Sequence, residues 1–258
     1  MKYLFNHLDE IREKVVESPR TYILLDCDGT ITRIRSDPRQ VALSQRMLQV
    51  LRSLSTTPSC ILAVVSGRPV SDLQRLVKIN GVYYIGNHGF EISGKHLSYK
   101  NRTAQKSRRS IDQFSRALRS LETIGATIEE KQFSVAVHFR RAPLRSIPTI
   151  RTFVSALVSG QAEFKIIHGK KVLEVMPRTK WDKGTAAKWL MHHIGNGLPI
   201  FVGDDLIDED AFYRISSKGV TIVVSRRRRA TYAKYYLSDV SEVYRFLKLL
   251  SAWVRVGG

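Results

Sequence analysis

Residues 22–30 read YILLDCDGT, an apolar run that ends in two acids and a glycine. A continuous apolar run of this length fits a strand buried on both faces, as the strands of a parallel sheet are. The pattern recurs downstream: CILAVVSGR (60–68), VYYIGNHG (82–89) and LPIFVGDD (198–205) are apolar strands closing in small or polar residues, and VTIVVS (220–225) follows. Between them SQRMLQVLRSLS (44–55) has helical apolar spacing with Ser44 as a candidate N-cap, and TAAKWLMHHI (185–194) and EVYRFLKLL (242–250) read as further helices. Strands alternating with amphipathic helices predict an α/β fold with a parallel sheet.

The middle of the chain reads differently. A basic helix is predicted over 104–121, two strands within ATIEEKQFSVAVHFR (126–140), a second helix over 145–159 and a hairpin turning near Gly169. This αββαββ order predicts a small α+β module over 102–178, inserted into a core made of 1–101 and 179–258.

The chain has 258 residues, long enough to bury one large or two modest cores. Apolar residues at 43% and charged residues at 25% argue against a disordered chain. No apolar run approaches the roughly 20 residues that span a bilayer. The opening MKYLFNHLDEIREK carries acids in its first ten residues and is not expected to be a secretory signal. Two cysteines, Cys27 and Cys60, are too few for a disulfide framework, and a cytoplasmic location is expected. The unusual figure is the net charge of +19, which points to an anionic partner without saying which.

Chemistry concentrates at the predicted strand ends. Asp26 and Asp28 stand at i and i+2 of the first strand, so both carboxylates converge from one face, where ligands of open α/β sheets bind. Two such carboxylates repel unless a cation or shared proton compensates; read alone, DxDG is equally a turn. Ser66, Gly67 and Arg68 follow the second strand, offering a hydroxyl, an open backbone and a cation to an oxyanion. GDDLIDED (203–210) gathers five acids in seven residues, which a helix dipole and a hard divalent cation would offset, unless it is a solvated helix start. Lys183-Gly184, just before a helix, offers a cation to these acids or is a surface lysine.

Taken together and in this order, DxDGT, SGR, KG and GDDxxDED resemble the four motifs of the haloacid dehalogenase-like (HAD) phosphatases. The strings DGTI, SGRP, GNHGFEI, HFR and GDDLIDEDAF are similar, more narrowly, to the trehalose-6-phosphate phosphatase family, with Ile207 where the family usually has Thr. The resemblance implies a HAD-like Rossmannoid core with a cap domain, Mg²⁺ as cofactor, and hydrolysis of a sugar phosphate through an aspartyl-phosphate. It implies Asp26 as nucleophile, Asp28 as acid and base, and Ser66 and Lys183 as phosphoryl contacts. A metal would be held by Asp26, Asp28 through its carbonyl, and Asp204, completed by Asp205 and Asp208. It also implies that Gly67, Arg68 and His88, with Glu129, Lys131, Arg140, Lys170 and Glu174 of the insert, contact the substrate. Alternation puts Glu129 and Lys131 on one strand face, and Lys170 and Glu174 on another.

The alternatives are another sugar-phosphate phosphatase, acting on sucrose phosphate or a glycosyl-glycerate phosphate, and a basic nucleic-acid-binding protein on this fold. The latter has charge alone in its favour, with no zinc spacing or helix-turn-helix pattern. The resemblance raises a trehalose-phosphate synthase as a partner and gives none in the membrane. His192-His193 are adjacent on a helix and do not share a face, so they are not read as a metal pair. Arg226–Arg229 is the densest basic run, either a solvated loop or a polyanion contact. The insert holds 15 Lys+Arg against 6 Asp+Glu, +9 in 77 residues, while the other 181 carry +10. A charge-dense insert suits capture of a small phosphate monoester.

Overall fold

The computed structural model describes residues 1–35, 40–169 and 171–255. The chain divides into two compact units, Met1–Tyr99 with Trp181–Gly258, and Lys100–Lys180. In the first, strand β1 (Lys2–Tyr3) and helix α1 (Leu8–Glu17) lead to β2 (Thr21–Asp26), every residue of which is buried. Then come α2 (Gln45–Ser55), β3 (Cys60–Val65), α3 (Val70–Val77), β4 (Tyr83–Gly86), β5 (Glu91–Gly94) and β6 (Leu97–Lys100).

The second unit is α4 (Arg102–Lys106), α5 (Arg108–Leu118), β7 (Thr127–Glu130), β8 (Val135–His138), α6 (Ile147–Val158), β9 (Phe164–Gly169) and β10 (Val172–Pro177). The first unit resumes with α7 (Lys183–Ile194), β11 (Leu198–Gly203), α8 (Glu209–Ile215), β12 (Val220–Val224), β13 (Tyr235–Leu237) and α9 (Val240–Trp253).

The large sheet has strand order β1-β13-β12-β11-β2-β3-β4-β5-β6. It is parallel from β1 to β4, and β5 turns back antiparallel to β4. The chain winds outward from β2 to β3 and β4, then returns to β2's other side as β11, so the order reverses at the centre. Alternation along β2 sends Ile23 and Leu25 into a core with residues of α1, α2 and α9, and Tyr22 and Leu24 into a core with α7 and α8. Asp26 shares the parity of Tyr22 and Leu24, so it emerges on the α7/α8 side; that parity decides which elements supply its partners. The N-cap that the sequence suggests for α2 is present, and α9 is capped too. Ser44 accepts the Met47 N–H of α2 at 3.3 Å, and Asp239 accepts from Ser241 and Glu242 of α9.

The small sheet is antiparallel throughout, in the order β7-β8-β10-β9. One face buries Val135, Val137, Leu173 and Val175 against Ile111 and Phe114 of α5 and Ile150 and Val154 of α6. The helix predicted over 104–121 is broken: Ser107 separates α4 from α5 and returns its hydroxyl to the Thr103 carbonyl, the local bonding by which serine competes with helix continuity. No helix among the described residues is long and apolar enough to cross a membrane.

Candidate active site

The carboxyl ends of β2, β3 and β11 lie side by side in the parallel register, and each delivers one acidic or polar segment. Asp26 ends β2. Lys183, the first residue of α7, places its ammonium between Asp26 Oδ1 at 2.6 Å and Asp208 Oδ1 at 2.8 Å. All three side chains are buried, at 4% exposure for Lys183, 7% for Asp26 and 0% for Asp208. Two local features aim the lysine. Asp182 caps α7, accepting the Thr185 N–H at 2.7 Å, and is itself gripped by Arg214 of α8. Gly184 lets α7 approach α8: a Cβ there would meet the Asp210 carbonyl at 2.8 Å and Ala211 Cα at 2.9 Å.

Asp208 spends its other oxygen on the backbone, Oδ2 accepting the N–H of Asp204 and of Asp205 at 3.0 Å each. Asp26, Asp204 and Asp208 form a group whose ligand atoms lie within 4.8 Å of one another. Asp205 lies outside this group; its exposed side chain caps the short 3-10 turn Leu206–Asp208, accepting the Leu206 N–H. The Asp28 carboxylate is also engaged elsewhere. Arg68 forks onto it, Nε to Oδ2 at 2.6 Å and Nη2 to Oδ1 at 2.7 Å, the bidentate geometry guanidinium favours. The Asp28 carboxylate, like that of Asp205, lies outside the group formed by Asp26, Asp204 and Asp208.

Ser66 is buried at the end of β3, its hydroxyl accepting the Arg68 N–H at 3.2 Å. The loops after β3 and β4 are laced by backbone bonds from His88 N to Ser66 O and from Asn87 N to Arg68 O. Asn87 and His88 both adopt the left-handed conformation, with φ of 50° and 58°, an uncommon state for non-glycine residues that clusters at functional sites. The buried His88 ring lies where a Cβ on Gly67 would sit, 2.5 Å from its Cε1. The structure thus brings Gly67 and His88 together, and only glycine fits at 67.

The electrostatics are unbalanced. Burial pulls the Lys183 ammonium toward neutrality, but Asp208 and Asp26 reverse this and hold its pKa above the usual lysine range. Burial raises the Asp26 carboxyl well above the carboxylate range, with Asp208 and Asp204 adding to it and Lys183 opposing. Asp204 is pushed up to about 8 by burial, then by Asp208 and Asp205. Three acids face one ammonium, and Asp204 Oδ1 is buried without a hydrogen-bond partner. A Cβ on Gly29, at φ +92°, would run into the Asp204 carboxylate, so the glycine keeps this space open. A hard divalent cation fits that oxygen-only donor set and the missing positive charge.

In the second unit, Glu129, Ala136 and Glu174 form one row across β7, β8 and β10 on the face opposite the helices. Glu174 Oε1, on a carboxylate only 9% exposed, accepts from Lys131 Nζ at 3.0 Å and from the buried Ser134 hydroxyl at 2.5 Å. Glu129 pairs with His138 Nε2 at 2.7 Å, which lowers its pKa despite partial burial. Glu129 and Glu174 therefore share one face rather than two, because β10 pairs directly with β8. Arg140 lies exposed just past β8. Lys170 lies outside the described residues.

A parallel α/β sheet with acids and a lysine at its carboxyl edge is the haloacid dehalogenase-like fold. A haloacid dehalogenase-like hydrolase from Bacteroides thetaiotaomicron shares the fold, with a TM-score of 0.63 at 16% identity over 90% of this chain and 99% of that one. A C. albicans trehalose-6-phosphate phosphatase C-terminal domain superposes with a TM-score of 0.81 at 23% identity, covering 95% and 96% of the two chains. Trehalose-phosphate phosphatase B of Arabidopsis thaliana is 32% identical over 97% of this chain and 71% of its own length. Residues 24–241 match the trehalose-phosphatase family. The chain belongs to that family, whose members are phosphoric monoester hydrolases.

Several residues that shape the site carried little sequence signal. Asp182 caps a helix that starts at Lys183, two residues before the start the sequence pattern suggests at Thr185. Arg214, Ser134 and the pairing of His138 with Glu129 depend on which elements become neighbours and leave no trace in spacing.

Proposed function

We propose that this protein hydrolyses trehalose 6-phosphate to trehalose and inorganic phosphate through an aspartyl-phosphate on Asp26. The observation that supports this most is the buried Lys183 ammonium bridging Asp26 and Asp208 in a chain of this family. Asp26 attacks phosphorus, forming an acyl-phosphate bond as the bond to the sugar oxygen breaks. Asp28 gives its proton to that leaving oxygen, then takes one from the water that attacks the acyl phosphate, which frees phosphate and restores Asp26. For this the Arg68–Asp28 fork must part, releasing a guanidinium for the phosphoryl oxygens. Ser66 Oγ and Lys183 bind those oxygens where charge develops, with Gly67 leaving room for the His88 ring beside them. Mg²⁺ held by Asp26, Asp204 and the Asp28 carbonyl would neutralise that charge, while Asp208 braces Lys183 and the turn.

The polar sheet face of the second unit reads the sugar. Glu129 and Glu174 accept from its hydroxyls, and Lys131 and Arg140 donate. His88 orders the loop that bears on the substrate. Two buried free cysteines fit a reducing cytoplasm, and a trehalose-phosphate synthase would supply the substrate.

The test is phosphate release with Mg²⁺ across trehalose 6-phosphate, sucrose phosphate, glucose 6-phosphate and p-nitrophenyl phosphate. Trehalose 6-phosphate is expected to show the highest kcat/KM. Glu174→Gln is expected to cost roughly tenfold or more on it, since a site built for hydroxyls loses a partner, and far less on the aryl phosphate. Equal losses on both substrates would show that this face does not read the sugar; glucose 6-phosphate turned over as well as trehalose 6-phosphate would overturn the substrate assignment.

A further inference from the structure

The mechanism above uses none of the four arginines after β12, yet the structure treats them unequally. Arg226 pairs with Asp239 at 3.0 Å on the surface, its side chain 77% exposed, and Arg227 and Arg228 are exposed. Arg229 turns inward to 24% exposure. Its Nη2 lies 3.3 Å from Glu209 Oε1 and donates to the Asp205 carbonyl at 3.2 Å. We propose that Arg229 is a positioning residue for the metal-binding turn, clamping the two ends of Leu206–Asp208 so that Asp204 is held in place for the cation. This deepens the proposed function and rests on its metal assignment.

The turn is stapled twice. On its inner side, Asp208 Oδ2 gathers the N–H groups of Asp204 and Asp205, while Oδ1 meets Lys183. On its outer side, the single Nη2 of Arg229 spans from the Asp205 carbonyl, where the 3-10 turn begins, to Glu209, which follows it. Glu209 is anchored in turn, Oε2 accepting from the Thr231 hydroxyl at 3.0 Å and the Tyr232 N–H at 2.9 Å. The Thr231 hydroxyl also accepts the Ala233 N–H at 3.1 Å, which ties it back into the chain leading to β13. The loop after β12 thus backs the turn as a fixed surface. The need is electrostatic. Residues 204–210 carry five acids that repel one another in a tight turn, and Arg229 brings a cation to Glu209 and the Asp205 carbonyl. Residues that hold ligand-bearing segments characteristically set metal affinity.

The experiment measures Mn²⁺ binding by titration calorimetry and the Mg²⁺-induced rise in Tm, alongside Mg²⁺ activation of phosphate release. Arg229→Gln is expected to weaken Mn²⁺ binding on the order of tenfold and to shrink the Tm rise. Its activity deficit should narrow as Mg²⁺ is raised. Arg229→Lys should recover part of the affinity, since an ammonium reaches the carboxylate without spanning both partners. The double variant Arg227→Gln/Arg228→Gln removes more charge from the same loop and should bind Mn²⁺ as wild type does. If Arg229→Gln binds Mn²⁺ like wild type, or the double variant weakens it equally, the positioning role is wrong. Should Arg229→Gln fold poorly, Glu209→Gln breaks the same ion pair from the other side, and unchanged Mn²⁺ affinity there overturns the proposal. Wild type that binds no Mn²⁺, or an Asp204→Asn variant that binds it normally, would instead refute the metal assignment and the proposal with it.

Discussion

Replacing Lys183 by methionine is expected to destabilise the fold by about 3–5 kcal/mol and to abolish turnover, because it leaves a buried charge cluster without its cation. The ammonium is 4% exposed and is shared by two carboxylates that are 7% and 0% exposed. Removing it strands Asp26 and Asp208 beside Asp204, whose carboxyl burial and its acidic neighbours already push to about 8. Methionine keeps the volume and the apolar stem, so the loss reports the charge rather than a cavity. Part of it should return on adding Mg²⁺, which supplies positive charge to the same oxygens and stabilises the state that binds it. Urea melts with and without Mg²⁺ measure both effects. A Lys183→Met protein as stable as wild type would mean that the ammonium does not bridge the two acids.

Asp26→Asn is expected to lower kcat on any phosphate monoester by on the order of 10⁴-fold or more while keeping the fold intact. The amide has the carboxylate's shape but not its nucleophilicity. Stability should change little: Lys183 keeps Asp208, and one of three mutually repelling acids is removed. This opposition of effects separates the two positions. Lys183→Met harms stability and activity together, whereas Asp26→Asn harms activity alone. Substantial turnover by the asparagine variant would remove Asp26 from the nucleophile's role.

The fold and site are legible in the sequence to an extent that differs from element to element. β2, β3 and β11 announce themselves because a strand buried on both faces has no polar face to display, and Ser44 announces α2 because a cap is a local interaction. The acids at strand ends were legible for the same reason: polar residues abruptly ending an apolar run mark the edge of the sheet. Local patterns could not show β5 and β6, four residues each and only partly buried, which extend the parallel sheet by turning back along it. Nor could they show that Glu129 and Glu174 share a row, since that depends on β10 choosing β8 over the far side of β9. The fork of Arg68 on Asp28 joins residues 40 positions apart, and its geometry exists only after β2 and β3 pair. Arg229 is the clearest instance. Four identical residues in a row carry no mark of which one turns inward, and only the seating of α8 beside the loop singles out the last.

The most direct test of phosphoryl transfer to Asp26 is to slow the second half of the reaction and look for the intermediate. Asp28→Asn cannot activate the hydrolytic water, and an aryl phosphate needs no proton for its leaving group. Incubated with p-nitrophenyl phosphate and Mg²⁺, quenched and reduced with borohydride, that variant should carry homoserine at position 26, the product of reducing an aspartyl-phosphate. Peptide mass mapping is expected to find the mark at residue 26 and to find none in the Asp26→Asn/Asp28→Asn double variant. A mark on any other residue, or one that persists in the double variant, would contradict the account.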